Sequence, residues 1–304
     1  MFGLNFLSSI SGTTTHKVPL FNLPLFFDFL VVASGGSVGG ANNGVYYSGA
    51  GGAGGMICSG QTYQGGGGAA QKSLVLTAGA SLVCTVGAET VATPSSYQGT
   101  TGNNSSLVGS GYNFVALGGG AGGNPAVPYA AGGAGGSGGG GAGGSSGNPY
   151  HLGGAGTVNQ GYAGGNAQIT VNAAGGGGGG AGGVGGNAGG GTGGNAGLGL
   201  AWIDGKVYAY GGAGTFAGDP PHAAGNPAAN RPAGGAPNRG SGSGAQPIGL
   251  DAAVSPNGGA GVIVICYPIN TRICTGGTIT QSQGLTFHTF TSSGTFAVTR
   301  ASVR

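Results

Sequence analysis

Six runs along the chain concentrate apolar and β-branched residues over four to eight positions, as strands do. The first covers residues 26–33 (Phe-Phe-Asp-Phe-Leu-Val-Val-Ala), and two more follow at 72–76 and 81–86. Near the other end lie 261–267 (Gly-Val-Ile-Val-Ile-Cys-Tyr), 286–290 and 294–298. Aromatic and β-branched side chains dominate both clusters, so the two ends are expected to build one β-layered core. Ala78-Gly79-Ala80 reads as a hairpin connection between the second and third runs. His288, set between Phe287 and Phe290, is expected on the polar face of its strand. Helical periodicity is nearly absent, because each Gly costs about 1 kcal/mol relative to Ala inside a helix and few ten-residue windows escape Gly.

Between the clusters the pattern changes: residues 118–197 hold 38 Gly in 80 positions. A flexible linker of that length is uncommon inside a compact domain, so a packing role for Gly is the better reading. Gly179-Gly180-Ala181, Gly182-Gly183-Val184 and Gly185-Gly186-Asn187 run as Gly-Gly-X triplets, matching an extended left-handed helix of three residues per turn. With two faces bare, such helices approach closely and exchange backbone N–H···O bonds and Cα–H···O contacts. Fixing Gly costs about 1–2 kcal/mol per residue or more, so the bundle must be clamped by strand layers or other subunits. The expected fold is therefore mostly β with extended polyglycine-II-like helices, strand layers clamping a glycine-rich bundle and no substantial α-helix. Gly-poor islands at 124–129, 148–152, 201–210 and 219–237 carry Pro, Asn or aromatic residues suited to loops.

Composition narrows the function classes. Gly makes up 81 of 304 residues, whereas only 4% are charged and the formal net charge is +3, which argues against nucleic-acid binding. Gly spacing drifts and Pro numbers 14, so a collagen triple helix is out. The carboxylates are Asp28, Glu89, Asp204, Asp219 and Asp251, no two close in sequence, which weakens an acid–base enzyme reading. Cys58, Cys84, Cys266 and Cys274 form no C-x-x-C pair and have no nearby His, so neither a metal nor any other cofactor is expected. Cys266 and Cys274 flank a short loop and could face each other across two strands, but free buried thiols are the preferred reading. His16, His151, His222 and His288 are scattered. Matches to G-x-S-x-G at 135–139 and 143–147 lack the strand before and helix after that a nucleophile elbow needs. The overlapping N-x-S sequons at 103–106 matter only with a secretory route. The apolar stretch at 20–33 is interrupted by Pro24, Asn22 and Asp28, so neither a membrane-spanning segment nor a convincing secretion signal is expected.

Tyr129, Tyr150, Trp202, Tyr208 and Tyr210 lie in or beside the Gly-poor islands. Aromatics at loop tips stack on sugar rings; equally, these residues can cap the bundle or pack on the strand layers.

The strand and glycine runs together resemble the glycine-rich domain of bacteriophage tail-fibre and receptor-binding proteins. The likeness rests on an opening strand running into a Gly block at 29–36, the segments 74–79 and 83–88 with their Val86-Gly87-Ala88 ending, the closing strand at 258–268, and the strands within 285–298. The resemblance implies a non-enzymatic structural protein on a virion surface, in a tail fibre or tail tip. It would be partnered by itself and by other virion proteins, and would contact a host surface glycan or protein through the aromatic loops. On this division, residues 1–27 are an attachment segment, 28–268 the glycine-rich domain, and 269–304 a C-terminal strand pair. A second reading is a self-assembling extracellular filament subunit, in which that strand pair, through Phe287, Phe290, Phe296 and Val298, completes the sheet of a neighbour.

Overall fold

The first strand explains the architecture. Its sequence, Leu-Phe-Phe-Asp-Phe-Leu-Val-Val, is apolar on both faces, which suits a strand covered on both sides. In the computed structural model, which describes residues 25–40, 47–91, 98–125, 131–144, 151–169, 173–214, 237–244, 257–269 and 274–299, this strand, β1 (Leu25–Val32), is an interior strand of a sheet. Its companions are β2 (Met56–Cys58), β3 (Leu74–Leu76), β9 (Val262–Pro268), β11 (Thr278–Ser282) and β12 (Leu285–Phe290), in the order β11-β12-β9-β1-β2 with β3 also on β1. A second sheet has the order β10-β13-β4-β5-β6, from β4 (Ser81–Thr85), β5 (Ser105–Gly109), β6 (Tyr112–Ala116), β10 (Cys274–Thr275) and β13 (Gly294–Val298). β7 (Leu200–Ala201) and β8 (Val207–Tyr208) form a separate small hairpin. All named strand pairs are antiparallel and, among the described residues, no long helix is present, so the expected mostly-β class holds.

Two cores flank the first sheet. On one side Phe27, Phe29 and Val31 of β1 with Ile263 and Ile265 of β9 meet Leu82, Leu107 and Phe296 of the second sheet. On the other, Leu30, Val32, Val264 and Cys266 meet Trp202, Tyr208 and residues of the glycine segments. Burying each large apolar side chain stabilises by about 1.5–3 kcal/mol, so these cores hold the chain together. β4 shows the contrasting pattern, alternately exposed and buried, because the second sheet is covered on one face only.

Asp28 stitches a junction on β1. β3 pairs with 25–27 and β2 with 30–32, leaving a step between them. There the Ser59 and Ser73 hydroxyls donate to the Asp28 carboxylate at 2.9 and 2.6 Å, and the Phe29 amide donates to Ser59 Oγ at 3.0 Å.

Two sequence expectations are corrected, and the preferred reading of the cysteines holds. Residues 77–80 do not close a hairpin, since β3 pairs with β1 and β4 pairs with β13 and β5; the turn, with Gly79 at φ +88°, carries the chain from one sheet to the other. His288 is fully buried and not on a polar face, because both faces of β12 are covered: Phe287 points toward Trp202 and His288 into the sandwich. Cys266 and Cys274 do not face each other, belonging instead to cores on opposite sides of the first sheet. All four cysteines are free and buried.

The glycine segments form a lattice of extended helices whose bonding repeats every three residues. Around residues 47–55, the amides of Gly49, Gly52 and Gly55 donate to the carbonyls of Gly123, Gly120 and Leu117 at 3.0, 2.8 and 2.8 Å. The next face turns to another neighbour, Gly51 and Gly54 donating to Ser243 and Gly240, and the third face to Gly176 and Gly179 through Ala50 and Ala53. Carbonyls of the same segment accept from Gly39, Gly36 and Ala33, from Gly140 and Ser137, and from Gly212. One glycine-rich helix thus has six neighbours, an arrangement that only Gly and an occasional small side chain such as Ala50 or Ala53 permit. None of the glycines in 47–55 has a positive φ, so it is space and not turn geometry that demands Gly here. A methyl at Gly52, Gly119, Gly178 or Gly212 would overlap a neighbouring carbonyl.

Candidate functional site

The register of the glycine lattice sorts its ends. Residues 33–40 and 117–124 leave β1 and β6, whereas 47–55 and 257–261 run into β2 and β9. Their bonds step in opposite directions along neighbouring segments, so one end of the bundle abuts the sheets and the other is remote from them. At that remote pole, among the described residues, Tyr47 and Gly143 exchange backbone bonds at 3.2 and 2.7 Å, and Gln168 and Ala174 do so at 2.9 and 3.0 Å. The pole is knitted by side chains as well as backbone. Ser48 Oγ and Asn124 Nδ2 both donate to the Gly40 carbonyl at 2.9 Å, and buried His151 sets Nδ1 against the Ala142 carbonyl.

The aromatic loop candidates divide. Trp202 and Tyr208 lie in the core rather than at loop tips: the Trp202 indole N–H donates to the Ser59 carbonyl at 3.0 Å and its ring meets Phe287 edge-on at 6.4 Å. Tyr208 donates its hydroxyl to Asp204 at 2.6 Å and lies under the Arg239 guanidinium. Burial, followed by the Asp204 bond and charge, holds the Tyr208 phenol above its ordinary range. Tyr210 is half-buried, its carbonyl taken by the Gly242 amide. Tyr129 and Tyr150 fall outside the described residues, in stretches whose flanking residues lie at the remote pole.

Phe287, Phe290, Phe296 and Val298 are all buried in the chain's own cores. β12 and β13 do not pair with each other: β12 pairs with β9 and β13 with β4, so the C-terminal strands complete both sheets of their own chain.

Several titratable groups among the described residues are engaged in the fold. Asp204 pairs with Lys206 at 3.3 Å and Asp28 with two serines. Burial pushes the Cys58, Cys84 and Cys266 thiols up to about 12. His288 Nδ1 lies 2.7 Å from the Gly276 carbonyl, which only accepts, so Nδ1 carries the proton and Nε2 accepts from the Tyr267 hydroxyl at 3.1 Å. Among the described residues no three His, Cys, Asp or Glu come close enough to hold a metal ion, and no helix is long and apolar enough to cross a membrane.

The family model described as a glycine-rich domain matches residues 8–268. The chain belongs to the glycine-rich domain family. No curated protein and no solved structure matches it. The family match begins ahead of residue 28 and ends at Pro268, the last residue of β9, whereas β10–β13 beyond it fold into the same two sheets.

Sequence reasoning missed a set of side-chain amides that finish the glycine lattice at its margins. Asn104 Oδ1 accepts the Gly118 amide at 2.9 Å, Asn166 Oδ1 that of Gly153 at 3.0 Å, and Asn187 Oδ1 that of Asn166 at 2.8 Å. Each amide replaces the carbonyl that a further glycine helix would supply. The Asn at the third position of Gly185-Gly186-Asn187 was the available signal.

Proposed function

We propose that this glycine-rich domain protein is a non-enzymatic structural component of a bacteriophage virion, in a tail fibre or tail tip, which presents its remote-pole loops to a host surface glycan or protein. The observation that supports this reading is a bundle whose interior is backbone bonded to backbone and one end of which lies remote from the sheets. A framework of that kind holds loop roots in fixed positions, and binding loops gain from fixed roots because less freedom is lost on contact. The Tyr of the stretches holding Tyr129 and Tyr150 supply rigid amphipathic contact area suited to sugars and protein surfaces.

The test is immunogold labelling of purified particles with antibody to the full chain, alongside peptide mass spectrometry of the same particles. Gold at fibre or tail tips with matching peptides is expected. Absence of the chain from particles, with label on cells instead, would overturn the reading.

The second reading, an extracellular filament built by exchange of the C-terminal strands, draws on the separate membership of β12 and β13 in the two sheets. Both strands pair with partners distant in sequence, the arrangement that a neighbour's strands would have to reproduce. Long uniform filaments growing with concentration in negative-stain electron micrographs would favour it, and discrete particles of one size would exclude it.

A further inference from the structure

The edges of the described sheets are mostly guarded or, as in β7 and β10, only two residues long. β2 has its outer groups taken, Met56 donating to the Gln160 carbonyl at 3.0 Å and the Cys58 carbonyl accepting from Gln71 at 2.8 Å. On β3 the Val75 amide donates to the Tyr112 hydroxyl at 2.8 Å, and on β6 the Val115 carbonyl accepts from Gln160 Nε2 at 3.1 Å. Arg239 occupies the Val207 carbonyl on β8 at 2.9 Å, and β10 is only two residues long. The glycine lattice is closed in the same way by its Asn side chains. β11 differs. Its five residues, Thr-Ile-Thr-Gln-Ser, are all exposed, carry no charge and no Pro, and pair with β12 without a bulge. A long, uncharged, regular edge is the kind that natural proteins otherwise blunt.

The turn beyond β11 fixes which groups look outward. Gln283 and Gly284 have φ of 52° and 78°, the two-residue turn that favours a hydrogen-bonded closing pair, here Ser282 and Leu285. Ser282, Thr280 and Thr278 therefore bond inward to β12, and the amides and carbonyls of Ile279 and Gln281 point away. Among the described residues nothing bonds to them.

We propose that β11 is a pairing edge for a second copy of this chain, joined antiparallel about a two-fold axis at Thr280. The outward groups sit symmetrically on either side of that residue. Ile279 of one copy then exchanges both backbone bonds with Gln281 of the partner, and Gln281 with Ile279, four bonds in all. Thr280 faces Thr280, a favourable cross-strand pair, and the first sheet runs on through both copies. A net charge of only +3 on 304 residues offers little repulsion between them. This inference does not depend on the virion reading and stands or falls separately from it.

The experiment is sedimentation velocity of the full chain across a concentration series, with the variants Gln281→Pro and Ile279→Lys. Proline removes an outward amide without touching the bonds to β12, and lysine places a charge beside its symmetry mate. A reversible dimer is expected, its dissociation constant raised at least tenfold by either variant while the near-ultraviolet circular dichroism stays that of the parent. Hydrogen exchange supplies a second reading: the Ile279 and Gln281 amides should gain protection with concentration, and that of Thr280 should not. A chain that stays monomeric throughout, or a dimer that both variants leave intact, would overturn the proposal.

Discussion

The amide of Gly52 meets the carbonyl of Gly120 at 2.8 Å, and the Gly52 carbonyl in turn accepts the amide of Gly36 at 2.9 Å. Each glycine is thus a link between two neighbouring helices, and the bond pattern passes from segment to segment through the bundle. Net gains of about 0.5–1.5 kcal/mol per hydrogen bond do not exceed the about 1–2 kcal/mol of backbone entropy lost per ordered residue. The lattice therefore depends on the two apolar cores beside it, and loss of those cores should dissolve sheets and bundle together.

Substituting Gly52 by Ala drives a methyl into the Ser137 and Gly138 backbone, which cannot rotate aside. A destabilisation of about 3 kcal/mol is expected. Gly189→Ala is the control, since a methyl there meets nothing and its φ is not positive. Its cost should stay within about 0.5 kcal/mol. Urea unfolding of both variants checks the pair.

Acid should loosen the sandwich through His288. Burial lowers its pKa from the ordinary value of about 6.5, partly offset by the bond to Gly276. The unfolded chain then binds more protons than the folded one once pH drops below about 6.5, so stability falls with falling pH and levels off below the folded-state pKa. The urea midpoint should decline from pH 7 to pH 5 in the parent. His288→Gln should be less stable at pH 7 and show a flatter decline; an equally steep decline would remove His288 as the cause.

The thiols should be inert in the folded protein. Cys58, Cys84 and Cys266 have pKa values pushed to about 12 by burial, and Cys274 is also buried. At pH 8 a thiol-specific chromogenic reagent should find almost no reactive group in native protein and four in denaturant. Fast native reaction of even one thiol would contradict the buried placement.

Much of the sheet framework was legible in the sequence: β1, β3, β4, β9, β12 and β13 each coincide with an apolar run, with β1, β9 and β12 reaching one residue beyond it. β5 and β6 were overlooked although Ser110-Gly111, at φ 48° and 84°, is a two-residue turn signal between Leu107-Val108 and Tyr112-Asn113-Phe114. β2 is three residues between Gly55 and Ser59, too short for any period to show, and β7 and β8 are two residues each, one starting beside and one lying in a Gly-poor island. The misplacement of His288 has one physical cause: alternation reports a polar face only where one side of a sheet meets water. The Gly-Gly-X triplets foretold extended helices, but not that Gly51 would lie beside Ser243 and Gly212, because lattice neighbours depend on the path of the whole chain. Of the two roles open to Trp202 and Tyr208 in the sequence, the structure shows packing on the strand layers, where they anchor the small hairpin to the first sheet.

The most direct measurement is amide hydrogen exchange on the native full-length chain, read residue by residue across 49–55, 117–123 and 176–180 and compared with β9. These stretches contain no strand beyond isolated residues, so an ordinary glycine linker would exchange as fast as an unfolded peptide. Protection at nearly every amide, approaching that of Ile263 and Ile265, is the expected result. Unprotected exchange throughout the glycine segments beside a protected β9 would contradict the lattice and, with it, the fixed pole on which the proposed function rests.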